Sequence, residues 1–200
     1  MWTPYTFKII FIIFGYLLGS VPSGIIVAGF YGAADPRTVG SGNIGATNVG
    51  RAAGRGAGLI TLGLDILKGA VPALAAMYVA NDDMVVSLAG LSAVLGHLFP
   101  VFLRFRGGKG VATACGVFLV ISPAALLLSA LVFVFTVFIT GFVSVGSMGA
   151  ALAMPLCLIF LREAPVYIKL GFIIAALVIF KHRDNIKRIV KGQELPFKAP

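Results

Sequence analysis

Acidic residues, cysteines and histidines are scarce in this chain of 200 residues, which has seven Asp and Glu, two Cys and two His. The seven acids offer no candidate carboxylate dyad for general acid–base chemistry. No Gly-x-Ser-x-Gly motif and no His-x4-Asp pair indicates a nucleophilic triad. Cys115 and Cys157 lie inside apolar runs, so neither a disulfide nor a metal site is expected. No cofactor is expected either.

Charged residues of any kind are also rare, at 12%, whereas 59% of the residues are hydrophobic. A soluble domain of this size cannot bury so much apolar surface, because a folded protein needs a polar exterior. We therefore expect an all-α, polytopic membrane protein. The net charge of +9 comes largely from cations at the ends of apolar runs. It indicates topology signals and anionic substrates or lipids, and not nucleic acid.

The apolar runs predict about seven transmembrane helices. The uncharged run from 110 to 161 fits two long crossings or three short ones, and breaks at Ser122-Pro123 and Gly141 favour three. Three crossings also keep the basic C-terminal tail on the cytoplasmic side, as the positive-inside rule requires, with the N-terminus outside. The remaining predicted spans are 9–34, 57–80, 84–103 and 166–180.

One predicted span carries two charges in its interior. Asp65 and Lys68 are three residues apart, so they share a helix face and can pair away from lipid. No internal repeat, linker or change of composition divides the chain. We therefore expect residues 1–200 to form a single integral membrane domain.

The predicted topology places four polar clusters on one membrane face. Each has an ordinary structural explanation, as a turn, a basic anchor or a serine bonded to its own helix. Together they supply the cations and neutral donors that recognise phosphate oxygens and polyol hydroxyls. Such a site would act by positioning and electrostatics on a substrate that is already activated. The clusters span residues 41–51, 104–109, 144–147 and 182–188.

A glycine-rich basic stretch stands at the centre of these clusters. Gly107, Gly108 and Gly110 flank Lys109. Because glycine has no Cβ, backbone N–H groups there can approach a phosphate closely, and Lys109 adds a positive charge. The alternative is a loop whose cations only hold it on the cytoplasmic side. Both interpretations stay open at this point.

Three motifs stand out in the sequence: residues 40–48 with Arg51, residues 96–113, and residues 182–188 with 192–194. They are similar to those of the bacterial membrane glycerol-3-phosphate acyltransferases that use acyl phosphate as the donor, the PlsY family. The likeness covers nearly the whole chain. In three places the chain departs from the usual family pattern: Gly50 replaces an apolar residue, Arg104 and Arg106 replace lysines, and Thr140-Gly141 lacks a basic residue.

The resemblance implies transfer of a fatty acyl group from acyl phosphate to the 1-hydroxyl of sn-glycerol 3-phosphate. Lysophosphatidic acid and inorganic phosphate are the products, in the first step of phospholipid biosynthesis. A multi-pass protein of the bacterial inner membrane is implied, with its active site facing the cytoplasm. We expect it to be a monomer whose partners are its two substrates and membrane lipid.

The resemblance also implies roles for individual residues. The catalytic candidates are Ser41, Arg51, Lys109 and His182. The substrate-binding candidates are Asn43, Thr47, Asn48, His97, Gly107, Gly108, Ser147 and Asn185. The proton of the attacking hydroxyl has two candidate acceptors, His182 and the phosphate of the substrate. The cations beside His182 disfavour an imidazolium there, which favours the substrate phosphate.

Two other classes of function are also considered. A transporter of phosphate or a polyol phosphate would gather cations and glycines among helices, but it usually shows an internal repeat and polar residues at mid-membrane depth. A membrane scaffold without enzyme activity would need none of the Ser, Asn and His residues of the motifs.

Overall fold

The structure is a computed structural model that describes residues 4–197. Within this range every regular element is a helix, which confirms the all-α prediction. Residues 1–3 and 198–200, and with them the two termini, lie outside the described range. The helices are α1 (Pro4–Gly19), α2 (Ser23–Phe30), α3 (Ala46–Ala53), α4 (Arg55–Ala80), α5 (Asp83–Leu98), α6 (Val111–Ile121), α7 (Pro123–Thr140), α8 (Val143–Phe160), α9 (Pro165–Lys181) and α10 (Arg183–Val190), with 3-10 turns at Pro36–Thr38 and Val101–Leu103.

The chain divides after residue 120 into two compact units. In the first unit, α1 and α5 pack closely through small residues. A Cβ at Gly15 or Gly19 would overlap backbone atoms of Ala89 or Ala93. Close approach of this kind is typical of helices in membranes, where small residues let the backbones meet.

Helix α4 is the centre of the first unit and packs against α1, α2, α3 and α5. It ends at Ala80 because Asn81 takes a left-handed conformation, and the side chain of Asp82 then caps α5. Helix α6 crosses α4 closely, since a Cβ at Gly69 or Gly116 would overlap a backbone carbonyl of the other helix. The span predicted over 57–80 therefore agrees with the structure.

Residues 35–56 lie between the predicted spans 9–34 and 57–80, and their polar sequence predicts a loop. The structure differs from this prediction, because the stretch contains α3. The eight residues of α3 include Thr, Asn, Val and Gly, which favour a helix less than Ala does, and a helix of this length is not stable in isolation. The helix is stabilised by packing instead. Val49 is fully buried with Val27 and Ala57, and a Cβ at Gly58 would lie only 3.0 Å from the Cα atom of Gly50.

The second unit contains α7 to α10, with α8 packed against both α7 and α9. Both breaks that the sequence predicts are present. The Ser122 hydroxyl accepts a hydrogen bond from the Ala125 N–H at the start of α7, and Gly141 ends that helix with a φ of 75°. A bend of 53° then separates α9 from α10 at His182.

Several helices are long and apolar enough to cross a membrane, and large apolar side chains such as Leu127, Phe138 and Phe160 are exposed on them. Among the described residues five segments qualify, or six if the bent pair α9–α10 is one span. Helix α6 has 11 residues; at 1.5 Å per residue it is about 16 Å long, shorter than the hydrocarbon core of about 30 Å. The count of seven, the orientation of the termini and the single-domain organisation stay predictions. The five segments are 8–30, 55–80, 83–103, 123–140 and 143–160.

Candidate active site

The structure places the predicted site residues in both units. The first unit holds those of the first two motifs: Ser41, Asn43, Thr47, Asn48, Arg51, His97, Gly107, Gly108 and Lys109. The second unit holds Ser147, His182 and Asn185.

Asn48 organises the loop of the first motif. Its buried amide nitrogen donates to the carbonyls of Pro36 at 2.7 Å, Val39 at 3.0 Å and Asn43 at 2.9 Å. Its Oδ1 accepts from the N–H of Ser41 at 2.9 Å. Both polar atoms of the side chain are therefore used by backbone groups of the loop, so Asn48 shapes the surface that its neighbours present.

The same loop leaves three predicted residues accessible. Oδ1 of Asn43 accepts from the N–H of Gly45 at 2.8 Å, and this Asx turn leads into α3. Thr47 is exposed, and Arg51 and Ser41 are partly exposed. Because Thr47 and Arg51 are four residues apart on α3, they lie on one face of it. The first motif thus brings a guanidinium and two hydroxyl side chains to one short segment.

The glycines before Lys109 pack directly on the end of α5. A Cβ at Gly107 would overlap the His97 carbonyl, and a Cβ at Gly108 would overlap the His97 ring. The Gly108 N–H donates to that same carbonyl at 3.1 Å. Glycine is therefore required at both positions for close packing, and the Gly108 N–H is already used within the protein. Lys109 follows directly and is partly exposed.

His97 lies beneath this turn and is buried. Its Nδ1 is 3.7 Å from Oδ1 of Asp65. The same carboxylate oxygen is 2.9 Å from Nζ of Lys68, so the ion pair predicted within α4 is confirmed. Lys68 also donates to the carbonyl of Val21 at 3.1 Å, at the break between α1 and α2.

Glu194, in the second unit, accepts hydrogen bonds from three side chains. It is not among the site residues predicted from the sequence. Its Oε1 accepts from the Ser144 hydroxyl at 2.7 Å and from Nδ2 of Asn185 at 2.6 Å. Its Oε2 accepts from Nε of Arg188 at 2.8 Å. The available signal was the third motif, since its residues 192–194 include Glu194. In the structure Gly192, with a φ of 65°, turns the chain back after α10.

Two opposing effects act on the pKa of Glu194. Burial raises this pKa. The hydrogen bonds from Asn185, Ser144 and Arg188, together with the positive charge of Arg188, lower it by more than burial raises it. The pKa therefore lies below its ordinary value, and Glu194 is a carboxylate at neutral pH. A stable anion holds Asn185 and Arg188 in place.

His182 joins α9 to α10 and is buried. Its Nδ1 lies 2.8 Å from the Val178 carbonyl, one turn back in α9. Since a carbonyl only accepts, Nδ1 carries the proton in the neutral ring and Nε2 is left as an acceptor. This contact fixes the orientation of the imidazole.

The two serines of α8 differ in their contacts. The hydroxyl of Ser147, a predicted binding residue, donates to Val143 in its own helix at 2.8 Å. The hydroxyl of Ser144 contacts Glu194 instead. Oδ1 of Asn185 is buried with no hydrogen-bond partner among the described residues, so it is an open acceptor.

The chemistry available in both units is ionic and hydrogen-bonding. Cations, hydroxyls and amides can hold phosphate and polyol groups, and His182 can take up a proton. Over residues 4–197, no three His, Cys, Asp or Glu side chains come together in a group that could hold a metal ion.

Comparisons with known proteins are consistent with side chains that can hold phosphate and polyol groups. The model of the glycerol-3-phosphate acyltransferase family matches residues 9–192. The glycerol-3-phosphate acyltransferase of Geotalea daltonii is 49% identical over 96% of this chain and 99% of its own. That of Geobacter metallireducens is 50% identical over 92% of this chain and 94% of its own.

Solved structures of PlsY (YgiH), an integral membrane glycerol 3-phosphate acyltransferase, have the same fold. Its glycerol 3-phosphate form is 42% identical with a TM-score of 0.91 over 96% of both chains. Its lysophosphatidic acid form is 40% identical with a TM-score of 0.88 over 94% of both chains. From its sequence and from its fold, this chain belongs to the family of integral membrane glycerol-3-phosphate acyltransferases.

Proposed function

We propose that the enzyme transfers a fatty acyl group from acyl phosphate to the 1-hydroxyl of sn-glycerol 3-phosphate. The supporting observation is the likeness to PlsY in its glycerol 3-phosphate form, with a TM-score of 0.91 over 96% of both chains. Because PlsY has also been solved in its lysophosphatidic acid form, the same acceptor and product are assigned here. Family membership favours this enzyme over the phosphate transporter considered from the sequence.

The residues of the two units suit an acyl phosphate as donor. This donor is a mixed anhydride, so its phosphate already is a good leaving group and the enzyme needs no strong nucleophile of its own. The glycerol oxygen attacks the acyl carbon, the bond from that carbon to the phosphate oxygen breaks, and inorganic phosphate leaves. Positioning and electrostatic stabilisation supply the catalysis.

Residues of the first two motifs contact phosphate in this proposal. Lys109 and Arg51 bind phosphate oxygens through charge-assisted hydrogen bonds, and Ser41, Asn43 and Thr47 add neutral contacts. Asn48 acts by holding the loop that presents these groups, since its amide is bonded to the backbone. His97, Gly107 and Gly108 act by placing the turn before Lys109.

Residues of the third motif contact the acceptor hydroxyl in this proposal. Glu194 requires a donor from Asn185, so the NH₂ group of this amide faces Glu194 and Oδ1 faces away. In our proposal Oδ1 accepts from a glycerol hydroxyl, which would fill its open bonding position. His182 binds and orients the substrate, and the proton of the attacking hydroxyl passes to the substrate phosphate. Ser147 contributes a further polar contact.

The location follows from the chemistry of the two substrates. The acyl chain of the donor belongs in lipid, whereas both phosphate groups need water and cations. We therefore place the site at the cytoplasmic face of the bacterial inner membrane. The enzyme acts as a monomer and carries out the first acylation on the route to phospholipids.

A donor comparison tests the proposed function. The purified protein in detergent is given glycerol 3-phosphate and either acyl phosphate or the coenzyme A thioester of the same acyl chain. We expect lysophosphatidic acid from acyl phosphate, with one phosphate released per product, and none from the thioester. The Lys109→Ala variant is the control for phosphate released by hydrolysis alone. Product from the thioester and none from acyl phosphate would contradict the proposal.

A further inference from the structure

Three ionisable side chains are buried inside the first unit, and two of them have no place in the mechanism so far. Asp65 and Lys68 in α4 are 1% and 5% exposed, and His97 at the end of α5 is 4% exposed. Lys68 Nζ lies 2.9 Å and His97 Nδ1 lies 3.7 Å from the same oxygen, Oδ1 of Asp65. One carboxylate therefore faces both a cation and an imidazole.

The pairing of Asp65 with Lys68 does not by itself explain why charged side chains are present inside this span. Charged residues inside membrane spans are costly and are found mainly where they serve function. A buried pair can often be replaced by apolar residues of similar volume without loss of stability. Lys68 uses a further contact to hold the Val21 carbonyl between α1 and α2. The contact between Asp65 and His97 connects the pair to the segment that follows α5.

The His97 side chain lies between Asp65 and the turn that precedes Lys109. Its ring contacts Gly108 so closely that a Cβ there would overlap Nε2. Its carbonyl accepts from the Gly108 N–H, and a Cβ at Gly107 would overlap that carbonyl. A change in the orientation of the ring would therefore press on the turn, because closely packed groups transmit such shifts.

We propose that Asp65 is a positioning residue for Lys109. Its carboxylate fixes the orientation of the His97 ring, the ring supports the turn of Gly107 and Gly108, and the turn sets where the Lys109 ammonium lies. This inference rests on the proposed function in one respect, namely that Lys109 binds phosphate. The positioning itself is a property of the first unit and is measurable without substrate.

The test begins with a variant that leaves no lone buried charge, Asp65→Asn with Lys68→Met. Hydrogen–deuterium exchange is followed by mass spectrometry in detergent, for peptides covering 104–113 and, as an internal reference, 84–96. We expect exchange at 107–110 to rise by at least about 10-fold while the reference peptide is unchanged. Ser92→Ala, a buried serine of α5 bonded to Ala89, is the matched control and should leave both peptides unchanged. Unchanged exchange at 107–110 in the double variant would overturn the proposal.

Kinetics then test the path through His97. The double variant should raise KM for glycerol 3-phosphate at least about 10-fold with a smaller effect on kcat, since Lys109 is displaced but present. His97→Asn should do the same, and adding it to the double variant should cause little further change, because both act through one path. If the two effects multiply, Asp65 does not act through His97 and the inference is wrong.

The two measurements separate this inference from the proposed function. Faster exchange at 107–110 with an unchanged KM would support the positioning role and would remove Lys109 from the phosphate site. Wild-type exchange and wild-type KM in the double variant would show that Asp65 only neutralises Lys68, which overturns the positioning role and leaves the proposed function intact.

Discussion

Nδ2 of Asn185 lies 2.6 Å from Oε1 of Glu194, nine residues further along the chain. This contact connects the two parts of the third motif, 182–188 and 192–194, and it determines which way the amide of Asn185 faces. The same carboxylate also accepts from Ser144 in α8 and from Arg188. Glu194 therefore holds the tail against the helices of its own unit.

We predict that Glu194→Gln lowers kcat/KM by at least about 10-fold, because an uncharged amide cannot accept all three hydrogen bonds with the same strength. The control is Glu163→Gln, which replaces an acid of the same unit outside the network. Equal activity of Glu194→Gln and wild type would contradict the positioning of Asn185 by Glu194.

Glu194 also predicts a dependence of stability on pH. In the folded protein the pKa of Glu194 is below its ordinary value. Its contribution to the free energy of unfolding is therefore fully present above the unfolded-state pKa and is lost as the pH falls through the folded-state pKa. The Tm of the wild type in detergent should thus fall more steeply below about pH 4.5 than that of Glu194→Gln. Parallel curves of Tm against pH for the two proteins over the acid range would show that the Glu194 carboxylate does not stabilise the fold.

The cations of the first unit should differ in their effect on activity. Lys109→Ala and Arg51→Ala should each lower kcat/KM by at least about 100-fold, the scale of a charge-assisted contact worth roughly 3 kcal/mol. Arg104→Ala, at an exposed position of the same basic stretch, should cost much less. Near-normal turnover in Lys109→Ala would rule out Lys109 as a phosphate contact.

Asn48 should act on stability as well as on binding. Asn48→Ala removes the bonds to the backbone of residues 36–43, so we expect both a lower Tm and a higher KM for glycerol 3-phosphate. Thr47→Ala, at the exposed neighbouring position, should leave Tm unchanged. A lower KM or an unchanged Tm in Asn48→Ala would show that the loop does not depend on this amide.

The proton acceptor can be identified from a pH–rate profile. With saturating substrates, His182→Gln should keep the pH dependence of the wild type and show only a modest drop in kcat if the substrate phosphate takes the proton. If turnover vanishes while glycerol 3-phosphate still binds normally, Nε2 of His182 is the base. The Nδ1–H contact to Val178 makes Gln a suitable replacement, since its amide can donate similarly.

Reporter fusions test the predicted topology. Reporters placed after Pro200 and in the segment 35–56 should both read cytoplasmic, and one at 81–83 should read external. A cytoplasmic signal at 81–83 would contradict the predicted map. The short α6 is the element on which the count of crossings depends, because its 11 residues are few for a full crossing.

Much of the fold was predictable because its signals are local. The long apolar run of α4 predicts a membrane helix by length and composition alone. Ser122 and Gly141 predict helix breaks through capping and a left-handed conformation. The spacing of Asp65 and Lys68 predicts their pairing, since helical geometry brings residues three apart onto one face.

The sequence by itself thus determined the all-helical membrane architecture, the breaks within it and the family of the protein, because these depend on neighbouring residues and on motifs. Only the tertiary structure decided that α3 forms within the polar loop, that the amide of Asn48 is used internally, and that Ser144 contacts Glu194. The contact between Ser144 and Glu194 spans 50 residues of chain. Such contacts depend on how separate helices pack, and no local pattern of residues encodes that packing.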